Sequence, residues 1–448
     1  MSPSYSSRTQ LVVVSAAGFV VWAGFGAVLP YLPLFLQEQA HASVALIGVV
    51  AGAYYVGSFL FSSPMGMLSD RVGRKPLLVS GVALYSISTL LFVTTTKPEW
   101  FVLFRLLEGA GAGILTPAAL AFVADITPEP ERGRAYGWLT SAQFGGLVAG
   151  PGLGILFYNL GGGAGLWAFY SIFVFGAAAS ALTALALVLL VREPRREARA
   201  WATSSPSSLS PPYSPDSHGA PHPRRPSYRT LLSPPVVAFL VVAATGNLAM
   251  GAWEVLWSIW LRHIGASMAF VGLTWTAFSV PMLLSFLGGR LADRHNRFVL
   301  MFSGLGFAAL TWIAYGVLRD LQVFLVFCVL EGLAMAVAFP AKQAFLVQVS
   351  PPQWVGSVQG LEASTMQLAG LAGTLIAPLL YERVSGLAIS LSGGAALVGL
   401  AVAAPTLYRA SKKSTYSSGS WRPPQEQDRP PEERGLRREP ALRTSGRA

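Results

Sequence analysis

The chain has 448 residues, of which 53% are hydrophobic and only 12% are charged, and its formal net charge is +11. A soluble domain carries about 25% charged residues, so this composition excludes an ordinary soluble protein and predicts one that is surrounded by lipid. The basic residues lie in loops and tails between apolar segments, which argues against binding to nucleic acid. The sole cysteine, Cys328, lies in an apolar segment, so neither a disulfide framework nor a metal site is expected.

Twelve segments are long and apolar enough to cross a bilayer, which takes a helix of roughly 20 residues. The first of them follows a short polar start, and no cleavable leader is expected. The predicted fold class is therefore an all-α integral membrane protein with twelve transmembrane helices. The segments are 11–36, 43–68, 76–96, 99–125, 134–158, 166–191, 235–261, 268–291, 298–318, 321–347, 355–381 and 386–408.

The positive charges indicate the orientation of these spans, because cytoplasmic loops carry an excess of Lys and Arg. With the N-terminus in the cytoplasm, 26 of the 32 Lys and Arg residues fall in cytoplasmic segments. We therefore expect a multi-pass protein of the inner or plasma membrane with both termini in the cytoplasm. The exceptions are Lys97, Arg262, Arg319 and Arg383 on the outside, and Arg105 and Lys342 within spans.

Composition divides the chain into four parts. Residues 1–191 and 235–409 each contain six spans. Between them, residues 192–234 are rich in Pro, Ser and Arg, a composition that predicts a flexible cytoplasmic linker. This linker is either a simple tether or a regulatory site. Residues 410–448 are similarly polar and are expected to form a disordered cytoplasmic tail.

The two six-span halves are related by an internal repeat at a fixed offset of 223 residues. Such self-similarity indicates that two similar units are fused in one chain. Aligned pairs include Gly66 with Gly289, Asp70 with Asp293, Glu108 with Glu331, and Gly150 with Gly373.

One motif of this repeat follows the second span and recurs, in degenerate form, after the eighth. Its residues are Gly66, Asp70, Arg71, Gly73 and Arg74 in the first copy, and Gly289, Asp293, Arg294 and Arg297 in the second. The first copy closely resembles the signature of the major facilitator superfamily between spans two and three, and the second lies where that family has its second copy. The resemblance implies that both copies latch a cytoplasmic gate, and we therefore call them the first and second gate motifs. Asn296 stands where the family favours glycine, so the second turn is expected to differ.

Span five carries Gly146, Gly150, Pro151 and Gly154. Glycines four residues apart let a neighbouring helix pack closely, and a proline bends the span. The pattern resembles the motif that marks antiporters in the same superfamily, and the resemblance favours export over uptake.

The resemblance covers about residues 10–410. It implies two parallel six-helix bundles around a central cavity that opens alternately to each side of the membrane. Such a protein is a secondary transporter and not an enzyme; the sequence has no P-loop or dinucleotide motif, and no cofactor is expected. The expected partners are a small-molecule substrate, protons and membrane lipid, but not nucleic acid, and the expected state is a monomer.

Charged residues inside spans are costly and are by default functional hypotheses. Arg105 and Glu108 lie three residues apart on one helix face. They are expected to form either a structural ion pair or part of a proton route. Glu331, the repeat partner of Glu108, has Cys328 in place of the arginine and lies roughly 15 Å deep in its span. Burial favours the protonated form of an unpaired carboxylate, which suits either a proton carrier or a neutral packing residue.

Glu254 lies beside a stripe of tryptophans that includes Trp253 and Trp257. A carboxylate among indoles could hold a lipophilic cation, although tryptophans also form the aromatic belt at the membrane surface. We expect a structural ion pair between Glu362 and Lys342. Further polar candidates for the cavity wall are Gln143, Asn247 and Gln367, for which packing is an equal alternative.

Together these features predict proton-coupled efflux of a small hydrophobic or cationic compound by alternating access. Glu331 and Glu254 would alternately bind substrate and proton. Uptake or efflux of a polar metabolite such as a sugar is an alternative, although span one carries no acid and amides within spans are few. A non-transporting sensor on the same fold is a further alternative.

Overall fold

The computed structural model describes residues 7–128, 131–193, 232–351 and 354–417, and in these ranges the chain is helical between short loops. The helices of the first half are α1 Ser7–Val28, α2 Leu32–Glu38, α3 Val44–Val72, α4 Arg74–Leu91, α5 Pro98–Ile126, α6 Arg132–Leu160 and α7 Gly165–Leu190. Those of the second half are α8 Pro234–His263, α9 Met268–Met282, α10 Ser285–Arg294, α11 Arg297–Tyr315, α12 Leu321–Val349, α13 Val355–Val384 and α14 Leu387–Ser417.

Each predicted span corresponds to one helix or to one broken helix. Ten helical stretches, one of them α1 with α2, are long and apolar enough to cross a membrane, and the bent pair α9 and α10 makes eleven. The remaining predicted span is α4, which has 18 residues and begins with Arg74 and Lys75. These two charges lower its mean hydropathy, although α4 packs between α5 and α7 like its neighbours. The predicted all-helical membrane fold is confirmed.

Two breaks in the spans have an identifiable cause in proline. Pro281 lies at the end of α9, and the axis turns by 40° between α9 and α10. Pro33 lies in the first turn of α2, just after the break from α1. A proline removes a backbone donor and its ring clashes with the preceding turn, so each predicted single span becomes two helices.

The repeat is visible in the packing of the helices. In the first half α1 packs on α6 and α7, and α5 packs on α3 and α4. In the second half α8 packs on α13 and α14, and α12 packs on α9, α10 and α11. The pair α1 with α6 thus has its counterpart in α8 with α13, as expected for two bundles of the same design.

The halves meet along α3 with α13 and along α6 with α9. At the N-terminal end of α3, Gly48 lies against Thr374 and Pro378 of α13. Near the same end, Arg262 Nε donates to Glu38 Oε1 at 3.1 Å, and the backbone N–H of Ala45 donates to the carboxylate of Glu382 at 3.4 Å. The bundle is therefore closed at the end opposite the two gate motifs.

The predicted linker and tail fall mostly outside the described residues. Of the linker, residues 194–231 lie outside them, and so do residues 418–448 of the tail. The helix α14 nevertheless continues to Ser417, past the expected start of the tail at residue 410. No Gly or Pro interrupts the chain between Pro405 and Gly419, so no residue in that stretch stops the helix.

Candidate functional site

A cavity of about 300 Å³ lies between the halves. Most of its wall comes from the second half, and α6 contributes Phe144 and Leu147. Methionine is flexible and polarisable, so a wall of methionines and aromatic rings can adapt to apolar molecules of different shape. The rings are Phe144, Trp253, Phe278, Trp312 and Phe339, and the methionines are Met250, Met282, Met335 and Met366.

Glu331 is the carboxylate of this wall and is only 4% exposed. Its Oε1 accepts a hydrogen bond from Trp312 Nε1 at 2.6 Å. Its Oε2 accepts one from the Tyr315 hydroxyl at 2.9 Å, and that hydroxyl also lies 3.7 Å from Cys328 Sγ. The side chain therefore has neutral hydrogen-bond donors where the sequence alone suggested an unpaired acid.

The repeat partner of Glu331 has a different environment. Glu108 is fully buried. Its carboxylate accepts hydrogen bonds from Arg105 Nη1 at 2.7 Å and from Thr89 Oγ1 at 3.3 Å. At the offset of 223 residues, Thr89 is replaced by Trp312 and Arg105 by Cys328. The predicted contact between Arg105 and Glu108 is present. The second half has a thiol where the first has the cation, and an indole where the first has the threonine hydroxyl.

Arg105 has a second partner that the sequence did not indicate. Its Nη2 lies 3.2 Å from Glu254 Oε1, which connects α5 of one half with α8 of the other. The Tyr55 hydroxyl donates to Glu254 Oε2 at 2.7 Å, and the guanidinium lies 4.6 Å from the ring centre of Tyr54. These buried contacts form a charged bridge between the halves.

Glu254 is thus not placed among the indoles that line the cavity. Consecutive helical residues point about 100° apart, so Trp253 faces the cavity while Glu254 faces Arg105. Trp257 is buried, and its Nε1 donates to Thr274 Oγ1 at 3.0 Å. Of this predicted cluster, the residue on the cavity wall is Trp253.

The three amide candidates also lie in different environments. Asn247 lines the cavity, and its Nδ2 donates to the carbonyl of Ala243 at 2.9 Å. Gln367 Nε2 instead donates to Ser58 Oγ at 3.0 Å, between α13 and α3. Gln143 packs against Gly18 of α1. Of the three amide candidates, Asn247 is the one on the cavity wall.

The expected pair between Lys342 and Glu362 is formed, with 2.9 Å between Nζ and Oε1. Both side chains are less than a tenth exposed. Lys342 also lines the cavity, so its charge is compensated at the wall by a carboxylate from α13.

The first gate motif centres on a sharp turn between α3 and α4. Gly73 has φ +118°, a region that favours glycine. Arg74 is buried and its guanidinium donates to Asp125 at 2.9 Å and to Ser69 Oγ at 2.8 Å. The Glu193 carboxylate accepts the backbone N–H groups of Arg74 and Lys75, both at 2.7 Å. This carboxylate supplies an N-terminal cap for α4 from the far end of α7.

The second gate motif differs, as its asparagine indicated. Asn296 has φ −64°, and its own side chain accepts from the N–H groups of Phe298 and Val299 at the start of α11. Arg297 Nε donates to the carbonyl of Ala292 at 3.4 Å. The side chains of Asp293 and Arg294 are exposed, and Gly289 has open space where a Cβ would be. In the first copy, the side chains of Asp70 and Arg71 lie outside the described part of the structure. Gly66 lies against Pro117.

The glycines of span five pack α6 on α1. A Cβ on Gly146 would meet the carbonyl of Phe19, and one on Gly150 would lie 2.5 Å from the carbonyl carbon of Gly26. A Cβ on Gly154 would lie 2.6 Å from the carbonyl oxygen of Ala27. The carbonyl of Pro151 accepts from the Tyr31 hydroxyl at 3.2 Å.

Several residues of the site were not singled out from the sequence. Trp312 and Tyr315 could have been found by extending the repeat, since they align with Thr89 and Phe92. The cavity residues of α6, α9 and α13 carry no sequence signal, because apolar residues look alike on the lipid side and on the cavity side of a span. The residues added to the site are Tyr55, Asp125, Glu193, Trp312, Tyr315 and the four cavity methionines.

Comparison with protein families gives one family for both halves of the chain. The model of the Major Facilitator Superfamily matches residues 14–261 and again residues 248–445. The double match agrees with the internal repeat.

Curated relatives include bacterial resistance proteins. The chain is 25% identical over 401 residues to Multidrug resistance protein 2 of Bacillus subtilis (strain 168), which covers 88% of this chain and 94% of that protein. It is 21% identical over 413 residues to the quinolone resistance protein NorA of Staphylococcus aureus (strain MSSA476), covering 88% and 95%.

Solved structures with the same fold include transporters of other kinds. An inward-facing bacterial homologue of the human lysosomal transporter Spinster superposes with a TM-score of 0.71 at 18% identity, covering 92% of this chain and 98% of that one. A D-xylose–proton symporter superposes with a TM-score of 0.69 at 16% identity, covering 89% and 97%. At these identities the likeness concerns the fold.

Proposed function

The chain belongs to the Major Facilitator Superfamily, and on that premise we propose that it exports small hydrophobic or cationic compounds in exchange for protons by alternating access. The observation that carries the proposal is Glu331, a buried carboxylate on the wall of an otherwise mostly apolar cavity. The names of its relatives, a multidrug resistance protein and a quinolone resistance protein, support drug-like small molecules as cargo.

The exchange follows from the electrostatics of Glu331. An ionised carboxylate in an apolar site is costly unless something compensates its charge. Trp312 and Tyr315 supply hydrogen bonds but no positive charge. A proton or a cationic cargo would complete the compensation, and either one removes the reason for the other to bind. Mutual exclusion at one carboxylate is what antiport requires.

Glu254 is the second acid of the proposal. Among the described residues, Arg105 is the cation that contacts both Glu108 and Glu254. The three buried side chains together carry one excess negative charge when both acids are ionised. A proton on Glu254 would neutralise this excess and weaken its bond to Arg105 across the halves. We assign to Glu254 the release of the bridge and to Glu331 the exchange in the cavity.

The proposed topology follows the basic loops. Both termini would be cytoplasmic, with six-span halves at 1–191 and 235–409, a linker at 192–234 and a tail at 410–448. The closed end of the bundle, at Glu38 and Arg262, would then face outward, and the cavity would be reached from the cytoplasm. Cargo would load from inside, as an exporter requires.

A sugar as cargo is less well supported. Sugar hydroxyls need many hydrogen-bond partners, since a buried polar group without one is costly. The polar side chains on this cavity wall are Asn247, Glu331, Lys342 and the indoles of two tryptophans, and Lys342 is already paired with Glu362.

The proposal is tested by efflux from membrane vesicles under an imposed proton gradient, with ethidium and tetrabutylammonium as cargo. Glu331→Gln should reduce proton-driven efflux to background while the protein remains monodisperse in detergent. Glu99→Gln, which changes an exposed glutamate at the start of α5, is the matched control and should transport normally. Absence of proton-driven efflux with every cargo tested would remove the antiport proposal. Normal efflux by Glu331→Gln would remove Glu331 from it.

A further inference from the structure

Trp312 has two contacts that no other residue of the site combines. Its indole nitrogen donates to Glu331 at 2.6 Å, and its side chain forms part of the cavity wall. The other donor to Glu331, Tyr315, is fully buried and packs edge to face on Trp257 with 4.8 Å between ring centres. Of the two donors, Trp312 is therefore the one that a molecule in the cavity can touch.

The surroundings of Glu331 contain few other ionisable groups. Cys328 on its own helix and Tyr315 on α11 face it directly. α9, which packs on α12, carries no ionisable residue. On α8 the acid Glu254 contacts Arg105, and along the cavity wall Lys342 contacts Glu362. Besides burial, the hydrogen bonds of Trp312 and Tyr315 are thus direct influences on the charge of Glu331 that a substitution can remove.

We propose that Trp312 is a positioning and specificity residue, which holds the Glu331 carboxylate with its N–H and offers its ring to a flat aromatic cation. This inference rests on the proposed function and names the substrate class more narrowly. A cation that stacks on the indole would place its charge beside the carboxylate that the same indole holds. Tryptophan is the ring that attracts cations most strongly.

The cavity contains a matched tryptophan for comparison. Trp253 also lines the cavity and is 5% exposed, but its indole nitrogen has no hydrogen-bond partner in the described part of the chain. Trp253→Phe therefore removes an indole N–H from the same wall without removing a bond to Glu331. A change that follows only from Trp312→Phe can be attributed to that bond.

The experiment measures binding of ethidium, a flat aromatic cation, to the purified full-length protein across a range of pH. Trp312→Phe keeps a ring and removes the indole donor to the carboxylate anion. A hydrogen bond to an ionised group stabilises that group enough to shift its protonation equilibrium about tenfold. Without this bond, the pH at half-maximal ethidium binding should therefore rise by about one unit. Trp253→Phe should leave that pH unchanged. A profile of Trp312→Phe that superimposes on the wild type would overturn the positioning role.

The aromatic preference is tested separately with Trp312→Leu, which removes the ring as well. Its dissociation constant for ethidium should rise about tenfold, while that for tetrabutylammonium, which has no ring to stack, should change much less. An equal change for both cations would overturn the specificity role. Because these are binding measurements, a failure of proton-driven efflux in vesicles is recognised independently of either result.

Discussion

At the scale of single residues, the buried charges differ in how they are compensated. Four acids lie inside predicted spans away from the span ends, and three of them have a cation within ion-pair distance: Glu108 and Glu254 at Arg105, and Glu362 at Lys342. Glu331 has two neutral donors instead. An acid without a formal opposite charge is the one whose protonation changes most with its surroundings, and this singles out Glu331 for exchange.

The pair of Lys342 and Glu362 leads to a stability prediction. Removal of one partner leaves the other charge buried without compensation, which costs about 3–5 kcal/mol. Glu362→Leu should therefore lower the thermal unfolding temperature of the purified protein. In the double variant Lys342→Met with Glu362→Leu, both charges are gone, and most of the loss should be recovered.

Size-exclusion chromatography after graded heating is the measurement for these two variants. If Glu362→Leu alone is as stable as the wild type, the ion pair does not hold α12 and α13 together. If the double variant is as unstable as the single one, packing rather than charge explains the effect.

Local contacts could be predicted from the sequence, and distant ones could not. The contact of Arg105 with Glu108 follows from a spacing of three residues on one helix. The contact of Arg105 with Glu254 joins residues 149 apart and depends on how two bundles dock. The sequence predicts that Trp253, Trp257 and Glu254 share one site. Neighbours on a helix face different ways, however, so Trp253 and Glu254 lie in different environments.

At the scale of helices, the glycines of α6 determine how closely it approaches α1. Side chains at Gly146 and Gly150 would collide with the backbone of α1, at Phe19 and at Gly26. Gly152, between Gly150 and Gly154 on the same helix, has open space where a Cβ would be. The motif that resembles an antiporter signature is thus, in its geometry, a helix-packing surface behind the cavity wall at Leu147.

This geometry gives a prediction with an internal control. Gly146→Ala should lower the yield of folded protein and its unfolding temperature, because extra volume in a packed interface costs about 1–3 kcal/mol. Gly152→Ala should have little effect. The comparison is made on membranes with equal expression, by detergent extraction followed by size-exclusion chromatography. Equal behaviour of the two variants would contradict the packing described for α1 and α6.

The sequence predicted helix number and order better than helix continuity. Every predicted span corresponds to one helix or one broken helix, because a bilayer demands long apolar segments. Hydropathy did not reveal that α9 and α10 are separate helices, since Pro281 leaves the mean hydropathy of 268–291 high while it breaks the helix. Glu193 was also missed, because its role as a cap for α4 depends on where α7 ends.

At the scale of the whole molecule, the two related halves differ in the partners of their buried acids. The repeat keeps the packing of α1 with α6 in α8 with α13, but it does not keep the partners of the buried acid. Arg105 binds the first half to the second, whereas Cys328 at the equivalent position makes no ion pair and leaves Glu331 to the cavity. The two halves thus share one packing arrangement, and different residues at a few buried positions distinguish the bridge at Arg105 from the proposed exchange site at Glu331.

The closed end of the bundle provides the last prediction. Glu38 of α2 and Arg262 of α8 form an ion pair across the halves, and both side chains are about a third exposed. Replacement of both by cysteine would allow a short, reducible thiol cross-linker to join the halves there. The native Cys328 is buried, at 1% exposure, and is shielded from the reagent. If transport needs this end to open, cross-linking should reduce proton-driven ethidium efflux to background, and reduction should restore it.

Two comparisons make the cross-linking result specific. Glu38→Cys alone and Arg262→Cys alone, treated with the same reagent, should transport as before treatment. The cross-linked protein should still bind ethidium, because neither Glu38 nor Arg262 lines the cavity and its wall is unchanged. Efflux at the untreated rate from fully cross-linked protein would mean that the halves do not separate at Glu38 and Arg262 during transport, and alternating access about this cavity would then fail as the mechanism.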